Sequence, residues 1–201
     1  MPLYYVEGNI GSGKSTLLKK LAEIPDIELF QEPVNMWTDV GSYNLLDMFY
    51  TDPKRFAYLF QSYVFKTRVM STDVPQMKEH RVCERSIATD VNIFGKQAMV
   101  SGDMLPVEAK CYNEWLSWLT EKFYKKPDGI IYLRTSPEKC LERIVKRGRG
   151  EEVGVSLSYL EALHKRHDEW LLPLDIPTLI IDNDEDDGWD EKIALIKMFM
   201  T

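Results

Sequence analysis

Short apolar runs rich in β-branched and aromatic residues alternate along the chain with longer stretches of helical periodicity. The runs predict strands over Leu3–Val6, Ile27–Phe30, Arg81–Cys83, Ile130–Leu133 and Thr178–Ile181, with helices near 14–23, 53–72, 87–101, 106–125, 136–147, 156–172 and 188–200. Strands without polar alternation are buried on both faces, and strands separated by helices pair in parallel. The expected fold is therefore an α/β parallel sheet covered on both sides, with functional residues at the carboxyl ends of its strands. No linker, repeat or low-complexity tract intervenes, so residues 1–201 are expected to form one domain.

Local punctuation supports these boundaries. Ser136 can cap the helix over 136–147, Pro137 fits its first turn and Glu138 its positive end; Lys146 and Arg147 suit the negative end, and Gly148 stops it. Between 106 and 125, Val107, Tyr112, Trp115, Trp118, Leu119 and Phe123 recur at helical spacing. That stripe is expected to be core first and subunit interface second.

Composition narrows the setting. No run approaches the ~20 apolar residues of a membrane span, and Met1 to Glu7 lack the features of a secretion signal, which points to a cytoplasmic protein without a membrane partner. Cys83, Cys111 and Cys140 are odd in number and set in apolar patterns, as expected of reduced packing residues. A net charge of −7 argues against a nucleic-acid partner but leaves room for local cationic sites that bind small anions.

The strongest signal is the sequence Gly8, Asn9, Ile10, Gly11, Ser12, Gly13, Lys14, Ser15, followed by Thr16, placed directly between a strand and a helix. Such a glycine-rich loop cradles a polyphosphate with backbone N–H groups; Lys14 would reach the β/γ-phosphates and Ser15 would ligate Mg²⁺. A nucleoside triphosphate donor follows.

Three further constellations bear on what receives the phosphate. Glu32, at the end of the second strand before Pro33, could take a proton from an attacking hydroxyl; alone, it would read as a loop glutamate in solvent. Glu84 and Arg85 follow the third strand, where they could hold Mg²⁺ and phosphoryl oxygens, or simply form an ion pair. Arg143, Arg147 and Arg149 around Gly148 and Gly150 could form a mobile phosphate-binding lid over about 147–154, or be ordinary helix-end charges. His164, His167 and Asp168 read as a solvated helix face rather than a metal site.

Taken together, GNIGSGKST, EPVNMW, FQSYVFKTR, ERSIATD and RGRGEE resemble, in order and spacing, the deoxyribonucleoside kinases, and the resemblance covers residues 3 to about 172. It implies a P-loop kinase fold with an open five-stranded parallel sheet, a homodimer, and transfer of phosphate from ATP or another triphosphate to the 5′-hydroxyl of a deoxynucleoside with Mg²⁺. On this resemblance Glu32 is the general base with Arg85 beside it, Lys14 acts on the phosphates, and Ser15 and Glu84 serve the metal. Arg143, Arg147 and Arg149 form the lid. Tyr50 and Glu152 match the positions that bind the sugar 3′-hydroxyl, Gln61 the amide that reads the base edge, and Phe94 the ring on which the base stacks. Trp37, with Ile10, Leu46, Phe49, Phe60 and Val64, would line the apolar remainder. Arg68 and Asp90 match a second base-site pair: a carboxylate held by Arg68 welcomes an exocyclic amine and disfavours thymine O4. Deoxycytidine or deoxyadenosine is therefore expected ahead of thymidine, with deoxyguanosine also open.

In the segment 182–188, where relatives place an aromatic beside the donor base, Asp187 stands instead, which leaves donor choice open. The chain also lacks an amino-terminal targeting extension, which suits a bacterial, viral or minimal cytosolic member. Two alternatives share the loop and sheet. A nucleoside monophosphate kinase would need another cationic site for the acceptor's phosphate, which Glu32 would repel; a non-catalytic nucleotide-binding subunit would not need Lys14, Glu32 and Arg85.

Overall fold

In a computed structural model describing residues 1–201, the apolar runs form strands β1 (Leu3–Glu7), β2 (Ile27–Phe30), β3 (His80–Glu84), β4 (Gly129–Arg134) and β5 (Thr178–Asp182). They make one sheet in the order β2-β3-β1-β4-β5, with every pair parallel, as expected. Several strands run a residue or two past their apolar runs, because backbone pairing carries polar ends such as Glu84, opposite Val6, into the ladder.

Alternation across the central strand divides the core. Tyr4 and Val6 face one side with Val82, Ile131 and Leu133, covered by α1 (Lys14–Leu21) and α10 (Trp189–Met200). Leu3 and Tyr5 face the other side with Cys83. A second core of aromatics, including Trp37, Phe49, Phe60 and Tyr112, lies among α2 (Asn35–Thr38), α3 (Leu45–Thr51), α4 (Pro53–Thr72) and α7 (Pro106–Phe123). The short α2 and α3 span too few turns for a periodicity to show in the sequence.

The helix expected over 87–101 is three pieces: α5 (Ile87–Thr89), a π-helical turn (Asp90–Gly95) and α6 (Lys96–Val100). Gly95 permits this path, since a Cβ there would stand 2.6 Å from the Tyr112 ring on α7. α8 (Pro137–Arg147) follows its predicted boundaries: Ser136 Oγ accepts from Lys139 N at 3.4 Å, and Gly148 adopts φ +66°.

Three expectations need correction. On α7 only Tyr112 and Leu116 are fully buried, whereas Val107, Trp115 and Trp118 are 65%, 56% and 47% exposed; the apolar arc is wider than α7's neighbours can cover. On α9 (Leu157–Leu171), His167 is not solvated: it is fully buried, its Nδ1 lies 2.7 Å from Leu163 O, and its ring stacks on Tyr132. Burial pushes its pKa down to about 3, so it is a neutral core residue. Cys111 is exposed rather than packed, while Cys83 and Cys140 are buried.

Candidate active site

The adjacency of β2, β3 and β1 brings Glu32, Glu84 and Arg85, and the glycine loop to one edge of the sheet, around a cavity of about 780 Å³. Lys14, Ser15, Thr16, Glu32, Glu84, Arg85, Arg68, Gln61, Tyr50, Trp37, Phe94, Glu152, Arg143, Arg147 and Arg149 all line it, with Ile10, Gly11 and Gly13. Gly8, Asn9 and Ser12 form the loop's buried inner side instead.

The loop is braced from several elements. Asn9 Nδ2 donates to Leu160 O at 2.8 Å, and Ser12 O accepts from Asn183 Nδ2 at 2.8 Å and Thr135 Oγ1 at 3.2 Å. Gly11 has φ +79°, and a Cβ there would stand 2.5 Å from Cys140 O, so the turn excludes any side chain. Lys14 Nζ donates to the Gly8 and Asn9 carbonyls at 3.1 and 2.7 Å. Burial first, then the Arg85 charge, lowers its pKa to about 8. Ser15 Oγ lies 3.1 Å from Glu84 Oε1, which pairs a hydroxyl with a carboxylate as hard-cation ligands.

Glu32 is gripped from two sides. Arg85 Nη1 donates to both of its oxygens, at 2.9 and 2.7 Å, and Arg68 Nη2 donates to Oε1 at 2.8 Å. Burial alone would raise the Glu32 pKa, but Arg85 and Arg68 override it and hold the carboxyl down to about 2. Arg85 adopts φ +62°, unusual for a residue with a side chain and of order 1 kcal/mol in cost, a strain met where function requires it. Arg68 also binds Asp90, with Nε to Oδ2 at 2.8 Å and Nη2 to Oδ1 at 3.1 Å. Asp90 itself is fully buried and does not line the cavity, so Arg68 stands between it and the open space.

Such a site offers a triphosphate cradle and an ionised carboxylate in one cleft. A family model for deoxynucleoside kinases matches residues 4–197. The chain belongs to the deoxynucleoside kinase family. It is 39% identical to human mitochondrial thymidine kinase 2 over 89% of this chain and 69% of that one, and 38% identical to chicken deoxycytidine kinase 2 over 98% and 89%. Human deoxycytidine kinase is 34% identical over 98% and 90%. Similarity to both kinds leaves the base preference of this deoxynucleoside kinase to its own residues.

In this kinase the remainder of the cavity is apolar and flat-walled. Phe49 and Phe60 stack at 4.7 Å, Trp37 meets Phe60 edge-on at 5.7 Å, and the Arg85 guanidinium lies 4.8 Å from the Phe94 ring centroid. Gln61 is buried, and its Oε1 accepts no hydrogen bond from the protein. On either side of Gly148, Arg147 and Arg149 both donate to Glu152, Arg149 at 2.9 Å. Asn44 Nδ2 donates to Glu151 at 2.7 Å, tying this segment to the start of α3. Arg143 binds Asp186 instead, at 2.8 and 2.9 Å.

Two residues of this region, one in the cavity wall and one behind it, carry no motif of their own. Trp189 lines the cavity at the foot of α10, one residue past the segment 182–188, with its Cη2 3.8 Å from the position of a Cβ on Gly13. Glu7, last residue of β1, is fully buried, and burial pushes its carboxyl up to about 7. Its strand position hid it among apolar neighbours.

Proposed function

We propose that this deoxynucleoside kinase transfers the γ-phosphoryl group of ATP, with Mg²⁺, to the 5′-hydroxyl of deoxycytidine or deoxyadenosine in preference to thymidine, with deoxyguanosine also admitted. The observation that carries the reading is Glu32, half-buried and ionised between Arg68 and Arg85 in the same cavity as the phosphate loop. A carboxylate so weakly basic accepts the hydroxyl proton only after the oxygen has begun to bond phosphorus, which suits a loose phosphoryl-transfer transition state. Arg85 supplies positive charge where the equatorial oxygens gain negative charge. Lys14 and the loop amides hold the donor, and Ser15 and Glu84 suit Mg²⁺, which would neutralise phosphate charge when bound.

Gln61, with its free carbonyl oxygen, supports base-edge reading, while Phe94 and the stacked Phe49 and Phe60 support a flat base between aromatic walls. Tyr50 and Glu152 support a site for the sugar 3′-hydroxyl. Arg68, which lines the cavity in front of Asp90, supports the preference because its bulk crowds the thymine methyl. A competition assay offering all four deoxynucleosides and deoxycytidine monophosphate, at saturating ATP and Mg²⁺, tests this. Deoxycytidine or deoxyadenosine should have the highest kcat/KM and thymidine a lower one; thymidine leading would reject the preference, and a faster monophosphate would reject the acceptor.

We infer a homodimer through α7, supported by the exposed Val107, Trp115 and Trp118, an apolar face suited to a second copy. Trp118→Glu should then shift the species seen in sedimentation velocity from dimer to monomer; a wild-type monomer would contradict the inference. No helix is long and apolar enough to cross a membrane. Three unpaired cysteines support a reducing compartment, for which we propose the cytoplasm.

A further inference from the structure

Glu7 has no part in the chemistry described so far, yet it occupies the residue between two contacts of Arg85. Arg85 N donates to Val6 O at 2.9 Å, and Arg85 Nη2 reaches Gly8 O at 3.4 Å. The Glu7 side chain points to the other end of the same turn. Its Oε1 accepts from Ser86 Oγ at 2.8 Å and lies 2.8 Å from Thr89 Oγ1, whose distance to Oε2 is 2.7 Å. Thr89 Oγ1 in turn accepts from Ser86 N at 3.1 Å, closing a capping box that begins one residue after Arg85. Every one of these side chains is buried.

A carboxylate inside a protein normally rests against a cation, because burying unpaired charge is costly. Here both hydrogen-bonding partners are hydroxyls, with Arg85 and Arg68 only near enough to offset part of the burial. Packing alone would be served as well by a neutral side chain of the same size. The carboxylate does something a neutral group does less well: its lone pairs take both hydroxyl protons and leave Thr89 Oγ1 free to accept from Ser86 N. The turn thus held contains the left-handed backbone of Arg85.

We propose that Glu7 is a positioning residue for phosphoryl transfer: by binding the hydroxyls of Ser86 and Thr89, it fixes the strained turn at Arg85 and so places the guanidinium that grips Glu32. The proposal rests on the kinase reading of the site, and wild-type turnover in the same assay tests that reading separately.

The variants are Glu7→Gln, Thr89→Val and Thr89→Ser, each assayed with ATP, Mg²⁺ and deoxycytidine and each followed by thermal melting. Glu7→Gln places an N–H₂ group against a hydroxyl and unsettles the turn. Its kcat should fall about 10- to 100-fold, as for a misplacement of reacting groups by a fraction of an ångström to one ångström. KM for both substrates should stay within about threefold, and the Tm should be no lower than that of the wild type, since an amide costs less to bury than a carboxylate. Thr89→Val should repeat the kcat loss and Thr89→Ser should restore turnover. Turnover unchanged in Glu7→Gln would overturn the proposal, as would a fall in kcat matched by an equal loss of ATP-analogue affinity, which would make Glu7 a support of the phosphate loop. If Glu7→Gln does not fold, the contrast of Thr89→Val with Thr89→Ser decides: equal turnover in the two overturns the proposal.

Discussion

Glu32→Gln should lower turnover by about 100-fold or more while leaving nucleotide binding in place, the expected cost of removing a general base. The amide has almost the shape of the carboxylate and keeps one oxygen for Arg85, so the cavity should persist. Arg68 retains Asp90, and Arg85 retains Glu84 nearby as a counter-charge. The lost element is an acceptor for the 5′-hydroxyl proton. Steady-state rates with ATP and deoxycytidine, set beside calorimetric binding of a non-hydrolysable ATP analogue, separate the two effects. Wild-type turnover in the variant would remove Glu32 from the mechanism.

A loss of comparable or greater size is expected at Arg85. Arg85→Ala should reduce kcat by about 100- to 1,000-fold, the range found when one preorganised donor to a developing charge is removed. Glu32 keeps Arg68 as a cationic partner, so the variant chiefly removes the charge facing the transferring group. Arg85→Lys should recover little, because an ammonium group cannot contact both oxygens of Glu32 and an aromatic face at once, as Arg85 does with Phe94. Rates for the two variants, measured with donor KM, check this; full recovery by lysine would mean that simple positive charge suffices.

The parts of the fold legible in the sequence were those written locally. Leu3–Val6 and Ile130–Leu133 are continuous apolar runs, and the glycine loop is a single contiguous segment whose neighbours declare themselves as strand and helix. What escaped depends on distant residues. The π turn at Asp90–Gly95 packs Gly95 against Tyr112 of another helix, where a Cβ would stand 2.6 Å from the ring. His167 is charged-looking in its own helix, yet Tyr132 of β4 covers it. The faces of α7 are set by which neighbours pack against it, and those leave Trp115 and Trp118 outside.

The site divides in the same way. Lys14, Glu32, Glu84, Arg85, Arg143, Arg147 and Arg149 share one cavity, and only the order of the linked motifs, read as a family resemblance, joins them in the sequence. The second grip of Arg68 on Glu32 joins residues 36 apart in sequence through the packing of α4 on the sheet edge, and no local pattern announces it. Glu7 is hidden for a related reason: its partners Ser86 and Thr89 lie at the cap and end of α5, beyond β3 and about eighty residues on.

The central claim is that the Glu32 carboxylate meets the sugar alcohol that receives the phosphate. A crystal structure of the kinase with deoxycytidine and a non-hydrolysable ATP analogue measures it directly. The account predicts the 5′-oxygen within about 3 Å of a Glu32 oxygen and in line with the γ-phosphorus. A 5′-oxygen bound to some other group, with Glu32 turned away from it, would contradict the account.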